Sequence, residues 1–278
     1  MQPGPNDLFI VGDAHQRIYD NRVTLSGLGI EVRGRAHRLT VSYRTTAEIL
    51  RFSTQILANE SYDDFDGGLE TIAGYHSPLR GPRPDLDGFD DREAELGELV
   101  TAVRLWIDSG VRPEEIGVLS RTKRQTEEAV TALTTAGLAT VRLKGTGRAR
   151  TEAAQMMTMH RAKGLEFRCV AVQGASADML PLAAAVTSAR ADAARHQQDQ
   201  MRERSLLFVA CTRARDALRI SWTGQPSPLL RPDGAQLARH SPARSPEQGH
   251  QAMLVTEGGD PSVTGGGTPD SPESSASG

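Results

Sequence analysis

Thr158-Met159-His160-Arg161-Ala162-Lys163-Gly164-Leu165-Glu166-Phe167-Arg168 is the stretch that decides how the chain is read. An apolar run precedes it (Ala153, Ala154, Met156, Met157) and another follows (Phe167, Cys169, Val170, Ala171, Val172), a pattern of strand, polar loop, strand. The loop sets His160, Arg161 and Lys163 beside Gly164, with the acid Glu166 just beyond. Bases of this kind suit phosphates, glycine lets backbone N–H groups come close to an anion, and Glu166 can accept from a sugar hydroxyl. On composition alone a solvated basic loop is the better reading.

Working outward, alternating strand and helix signals fill the chain. A short apolar run, Leu8 to Val11, predicts a buried strand ending at Gly12-Asp13. Leu39, Val41 and Tyr43 predict one face of a half-buried strand. A capping-box spacing from Thr45 to Glu48 then opens a helix carrying Ile49, Phe52, Ile56 and Leu57. Residues 60–91 read as loops with one strand at most. Helices are predicted from Arg92 to Ser109 and from Lys123 to Ala136, each closed by a glycine, with strands at Ile116–Ser120 and Thr140–Leu143. After the central stretch, residues 174–196 read as a loop with a broken alanine-rich helix. Gln197 to Arg213 is a helix apolar nearly all round in its second half, and Ala217 to Trp222 is a last strand. The succession predicts an α/β fold, a parallel sheet with helices on both faces and its chemistry at the carboxyl ends of the strands. From residue 226 the proline-, glycine- and serine-rich sequence predicts a disordered tail, 226–278.

Composition adds boundaries. The 278 residues are 38% apolar and 24% charged with a net charge of −3, enough for a sizeable core and without bulk attraction for nucleic acid. The charge is uneven: residues 62–98 are acid-rich, whereas Arg33, Arg35 and Arg38, and then Arg142, Lys144, Arg148, Arg150, Arg161, Lys163 and Arg168, form basic clusters. Lys144, Arg148 and Arg150 are candidates for contact with a nucleic-acid backbone. The two cysteines, Cys169 and Cys211, sit in apolar runs and read as small core residues, not as disulfide or metal ligands. No apolar run is long enough to span a membrane and no leader pattern opens the chain, so a cytoplasmic protein is expected.

Four segments in order resemble motifs III to VI of the UvrD/Rep-type superfamily 1 DNA helicases. They are Val11-Gly12-Asp13-Ala14-His15-Gln16-Arg17-Ile18-Tyr19, Leu39-Thr40-Val41-Ser42-Tyr43-Arg44-Thr45, the central stretch itself, and Leu207-Phe208-Val209-Ala210-Cys211-Thr212-Arg213-Ala214. The resemblance covers residues 8 to 222 and implies a RecA-like architecture. Residues 1–22 would be a remnant of the first RecA-like domain and 23–225 the second, without the large insertion many relatives carry. It implies ATP as nucleotide, with Gln16 sensing its terminal phosphate, Tyr43 stacking on adenine, Arg44 and Arg213 acting as arginine fingers, and Gly164 and Glu166 lining the nucleotide site. Single-stranded DNA would meet Tyr19, Arg22, Thr158, His160 and Lys163. The tryptophan often found two residues after this tyrosine is Asn21 here. The family's phosphate-binding loop and magnesium-binding acids have no counterpart in the 278 residues, and Gly145-Thr146-Gly147 lacks the following Lys-Ser/Thr. Magnesium would therefore be held by an N-terminal helicase segment acting in cis or in trans, and the chain is expected either to be a truncated or mis-started product or to work with such a partner. The rival expectation is a non-catalytic module that keeps the fold to bind nucleic acid or protein.

Overall fold

A computed structural model describes residues 9–16, 18–19, 25–30, 37–57, 62–63, 69–70, 74–143 and 152–230. Helix α1 is Ala47–Ile56, and a short antiparallel pair, β1 (Tyr62–Asp63) and β2 (Leu69–Glu70), follows. Then come β3 (Asp85–Phe89), α2 (Arg92–Asp108), β4 (Ile116–Ser120), α3 (Lys123–Thr135), β5 (Thr140–Arg142), β6 (Ala154–Thr158), β7 (Phe167–Gln173), α4 (Ala193–Cys211) and β8 (Ala214–Thr223). Strands β3 to β8 make one six-stranded sheet in the order β3-β8-β7-β4-β6-β5, every pairing parallel. This is the parallel α/β architecture the sequence predicts.

Alternation along the strands builds two cores. Leu119, Met157, Val170, Val172, Ile220 and Trp222 join the apolar side of α4 and α1 on one face. On the other, Ile116, Val118, Met156, Cys169 and Ala171 pack on α2 and α3 through Leu99, Val103, Ala129 and Leu133. Because both faces are covered, the central strands are apolar at nearly every position, which is why β4 is buried throughout. Two glycines are dictated by that packing. A Cβ on Gly117 would fall 2.6 Å from Phe167 Cδ2, and one on Gly88 would fall 2.7 Å from Trp222 Nε1.

Helix ends follow local chemistry. Asp91 caps α2 by accepting from Ala94 N at 2.8 Å. Thr122 and Gln125 form a reciprocal capping box at α3, and Gly110 and Gly137 end the two helices at φ of +89° and +79°. For α1 the cap is Thr46, whose Oγ1 accepts from Ile49 N, and not Thr45. Glu48 instead accepts from the N–H of Gly81 at 2.9 Å.

Several expectations are corrected. Phe9, Ile10 and Val11 are exposed, Phe9 by 94%, and pair with no strand among the described residues. Leu39 and Tyr43 are likewise exposed, and the segment keeps a single bridge, Val41 to His76. An apolar or alternating run becomes a strand only where a neighbouring strand accepts its backbone, and among the described residues nothing beyond that one bridge does so. Helix α4 begins four residues earlier than predicted and ends two residues sooner, and β8 begins three residues earlier. The tail begins later than expected: Ser176 bridges Pro226, and Leu229 and Leu230 are buried. Residues 231–278 lie outside the described residues.

Candidate functional site

Strands β6 and β7 are not neighbours, because β4 lies between them. The central stretch must therefore travel over β4, from the carboxyl end of β6 back to the amino end of β7. It does so as a 3-10 turn, Met159–Ala162, followed by Gly164 at φ +84°. Met159 and Ala162 are fully buried in the core beneath α4 and pin the crossover. A Cβ on Gly164 would meet nothing within 4 Å, so glycine is required there by the backbone angle alone. The polar residues then face outward at both ends of the sheet. This corrects the expectation that all the motifs gather at the carboxyl ends: Thr158 does, whereas Glu166 immediately precedes β7 and Arg213 immediately precedes β8. Those two amino ends are tied by Phe167 N donating to Arg213 O at 2.8 Å.

Around the first half of the crossover stand Tyr19, His160 and Lys163. The Tyr19 ring lies 6.3 Å from the His160 ring, its hydroxyl donates a long hydrogen bond of 3.5 Å to His160 O, and Lys163 Nζ sits 5.6 Å from the ring centroid. Lys163 Nζ also donates to Gln16 O at 2.9 Å. Residues far apart in sequence are thus brought together with an aromatic face half exposed. Burial, and then the nearby Arg121 guanidinium, hold the His160 imidazole below its usual pKa, so it is neutral at neutral pH and offers N–H donation in place of charge. Thr158 joins Lys123, Arg142 and Arg161 in lining a cavity of about 100 Å³, where Arg142 is ion-paired with Glu127. Arg22, Lys144, Arg148 and Arg150 lie outside the described residues.

Around the second half stand Asp13, Gln16, Arg44, Glu166 and Arg213. Arg44 Nε donates to Glu166 Oε2 at 3.0 Å, both side chains being about half exposed. The Arg44 segment is held against the sheet by Thr46 N donating to Arg215 O and by Ser77 Oγ donating to Thr45 O. Tyr43 projects beside it, 75% exposed. Arg213 is 2% exposed. Its guanidinium donates to Val209 O at 2.9 Å, Leu165 O at 3.2 Å and Thr212 Oγ1 at 3.1 Å. A guanidinium has five N–H groups, so about two are left over. Among the described residues Arg213 has no ion pair. Burial, and then Arg44, push its pKa down to about 10, against the opposing charges of Asp13 and Glu166. Asp13 in turn accepts from Gln16 Nε2 at 2.6 Å. Of the expected nucleotide-site residues, Arg44, Glu166 and Arg213 thus act on one another by hydrogen bond or by charge, and Gln16 joins them only through Asp13.

Three supports escaped the sequence reading. Arg121 at the end of β4 makes a bidentate pair with Glu203 of α4, at 2.9 and 2.7 Å, both nearly buried. Glu95 of α2 is buried and accepts from Arg92, Gly174 N, Ser221 and Thr223, tying the helix to β7 and β8. Asp13 is the third. The one signal for Arg121 was its place between an apolar strand and a capping threonine; Glu95 looked like an ordinary first-turn acid.

Residues 138–225 match the UvrD-like helicase C-terminal domain family. Over 139 residues the chain is 29% identical to the ATP-dependent DNA helicase UvrD2 of Mycobacterium bovis, and equally to that of Mycobacterium tuberculosis. The match takes in 48% of this chain and spans 19% of the length of each relative. Among solved structures, the C-terminal domain of a possible DNA helicase from Lactobacillus plantarum aligns with a TM-score of 0.49 and 22% identity, covering 68% of this chain and 92% of that one. The crossover that organises the candidate site lies inside the stretch, residues 138–225, that resembles the UvrD-like helicase C-terminal domain.

Proposed function

We propose that the chain is the C-terminal part of a UvrD-like, ATP-dependent DNA helicase. Residues 23–225 supply its second motor domain and residues 1–22 the end of the first. The observation that carries this reading is Arg213: a buried cation with N–H groups to spare and no ion pair among the described residues. Holding a charge in that way costs stability unless an anion comes to it. A polyphosphate fits the donor set, with Arg44 beside it once Glu166 lets go and Gln16 on the same side.

The residues fit the phosphates of ATP and not its magnesium. Among the described residues no group of three His, Cys, Asp or Glu side chains is placed to hold a metal, and the sequence has no phosphate-binding loop. When bound, the nucleotide supplies the phosphoryl group whose transfer drives the motor. Arg213 and Arg44 neutralise charge at its terminal phosphate, Tyr43 offers a ring to its base, Glu166 accepts from its sugar, and Gly164 lets the backbone approach. On the other half of the crossover Tyr19 stacks on a base of single-stranded DNA, while Lys163, His160, Thr158 and Arg22 meet the backbone. The second reading, a non-catalytic binding module, is favoured by the missing phosphate loop. DNA-stimulated ATPase separates them: no turnover by this chain alone, turnover once an upstream segment bearing the loop is fused or added, and loss of that turnover in Arg213→Ala. Hydrolysis by the chain alone, or no rescue by the upstream segment, overturns the proposal.

A further inference from the structure

A glutamine amide can turn either its oxygen or its nitrogen toward a ligand, and its surroundings decide which. Around Gln16 the choice is forced. Asp13 Oδ2 lies 2.6 Å from Gln16 Nε2, while Asp13 Oδ1 accepts the His15 backbone N–H at 2.9 Å and faces His15 Nδ1 at 3.3 Å. Burial raises the Asp13 pKa, but the hydrogen bonds from His15 and Gln16 outweigh it and hold the carboxyl below its usual range. Asp13 is therefore a carboxylate that can only accept, and an amide oxygen facing it would be repelled.

Both ends of the arrangement are anchored. His15 is 1% exposed, its ring set edge-on to Tyr75 at 5.9 Å and tilted against Phe208 of α4 at 6.4 Å. The Gln16 backbone carbonyl accepts from Lys163 Nζ and from Ile18 N. What is left is Gln16 Oε1, which accepts no hydrogen bond from the described residues, in a cluster whose carboxylate also bears on Arg213.

We infer that Asp13 is a positioning residue: it binds the N–H side of the Gln16 amide, so that Gln16 presents an oxygen acceptor, and not a donor, to the reacting end of the nucleotide. An oxygen repels phosphate oxygens and orders an O–H group, so Gln16 acts on a water molecule beside the phosphate and not on the phosphate itself. This rests on the nucleotide site proposed above.

The test has two arms. In the 15N-labelled chain, with the Gln16 side-chain signals assigned by their absence in Gln16→Glu, the Gln16 NH2 protons exchange with water more slowly than those of exposed Gln55. Asp13→Ala brings them to the Gln55 rate, and Asp13→Asn, which keeps an acceptor oxygen, leaves them between. In the motor completed with a phosphate-loop segment, kcat falls in the order wild type, Asp13→Asn, Asp13→Ala, with KM for ATP unchanged. Wild-type Gln16 exchanging as fast as Gln55 overturns the inference. So does an Asp13→Ala motor as fast as wild type or faster, which would make Asp13 a parking place for Gln16. An Arg213→Ala motor at full rate sinks the nucleotide-site reading instead, and leaves the exchange arm to decide the orientation.

Discussion

Replacing Arg213 by methionine separates a residue kept for chemistry from one kept for the fold. Burial lowers the guanidinium pKa from 12.5 to about 10, which at about 1.4 kcal/mol per pH unit disfavours its charged form in the folded chain by about 3 kcal/mol. The folded-state pKa of this base lies below the unfolded value. Its penalty is therefore present in full below pH 10 and relieved only as pH rises from there, so neutral-pH assays see all of it. Against it stand three hydrogen bonds, to Val209 O, Leu165 O and Thr212 Oγ1, worth together about 3 kcal/mol net. The two nearly cancel, and methionine fills much of the same volume. Urea unfolding of Arg213→Met should therefore move stability by no more than about 1.5 kcal/mol in either direction. The same substitution in a completed motor should lower DNA-stimulated turnover by about 10³-fold or more. A loss of stability above about 3 kcal/mol would mark Arg213 as a structural strut, and a motor retaining over half its turnover would end its assignment as a finger.

Arg44→Ala breaks an ion pair exposed on both sides, so urea unfolding should register less than about 1 kcal/mol while motor turnover collapses. Tyr19→Ala should weaken single-stranded DNA binding, read by fluorescence anisotropy, by about 1–3 kcal/mol with little change in its salt dependence. Lys163→Ala should instead lower the salt slope by about 1. Glu95→Leu leaves Gly174 N, Ser221, Thr223 and Arg92 without their shared acceptor and should cost about 3–5 kcal/mol in urea. A loss under 1 kcal/mol would show that water replaces the carboxylate.

Local rules succeeded where local chemistry decides. The bounds of β4 and the start of α3 were legible because a β-branched apolar run meets a Thr122–Gln125 capping box. They failed where an element depends on a distant neighbour: Phe9–Val11 has the composition of a buried strand, but sheet pairing is a property of two segments. The site was legible as a set of residues and not as a place. Nothing near Thr158 says that β6, β7 and β8 run parallel in one sheet, yet that shared direction puts Glu166 and Arg213 at the opposite end of the strands from Thr158. Buried ion pairs such as Arg121–Glu203 are invisible for the same reason, since their partners lie 82 residues apart.

The strand order also lets a short crossover join the two halves of the proposed site. Lys163, which touches Gln16 O and the Tyr19 ring, stands three residues from Glu166, which holds Arg44. The turn that leads into Lys163 is gripped by Met159 and Ala162 in a close-packed core, which transmits displacement better than it absorbs it. Met159→Ala tests that grip. It removes a fully buried side chain under α4, at a cost of about 2–5 kcal/mol in urea, and loosens the crossover without touching a residue proposed to meet nucleotide or DNA. In a completed motor the basal ATPase and the DNA affinity should each survive below the unfolding transition, while the stimulation of one by the other falls. Undiminished stimulation in a folded Met159→Ala motor would mean that coupling runs by another route, and that the buried turn serves the fold alone.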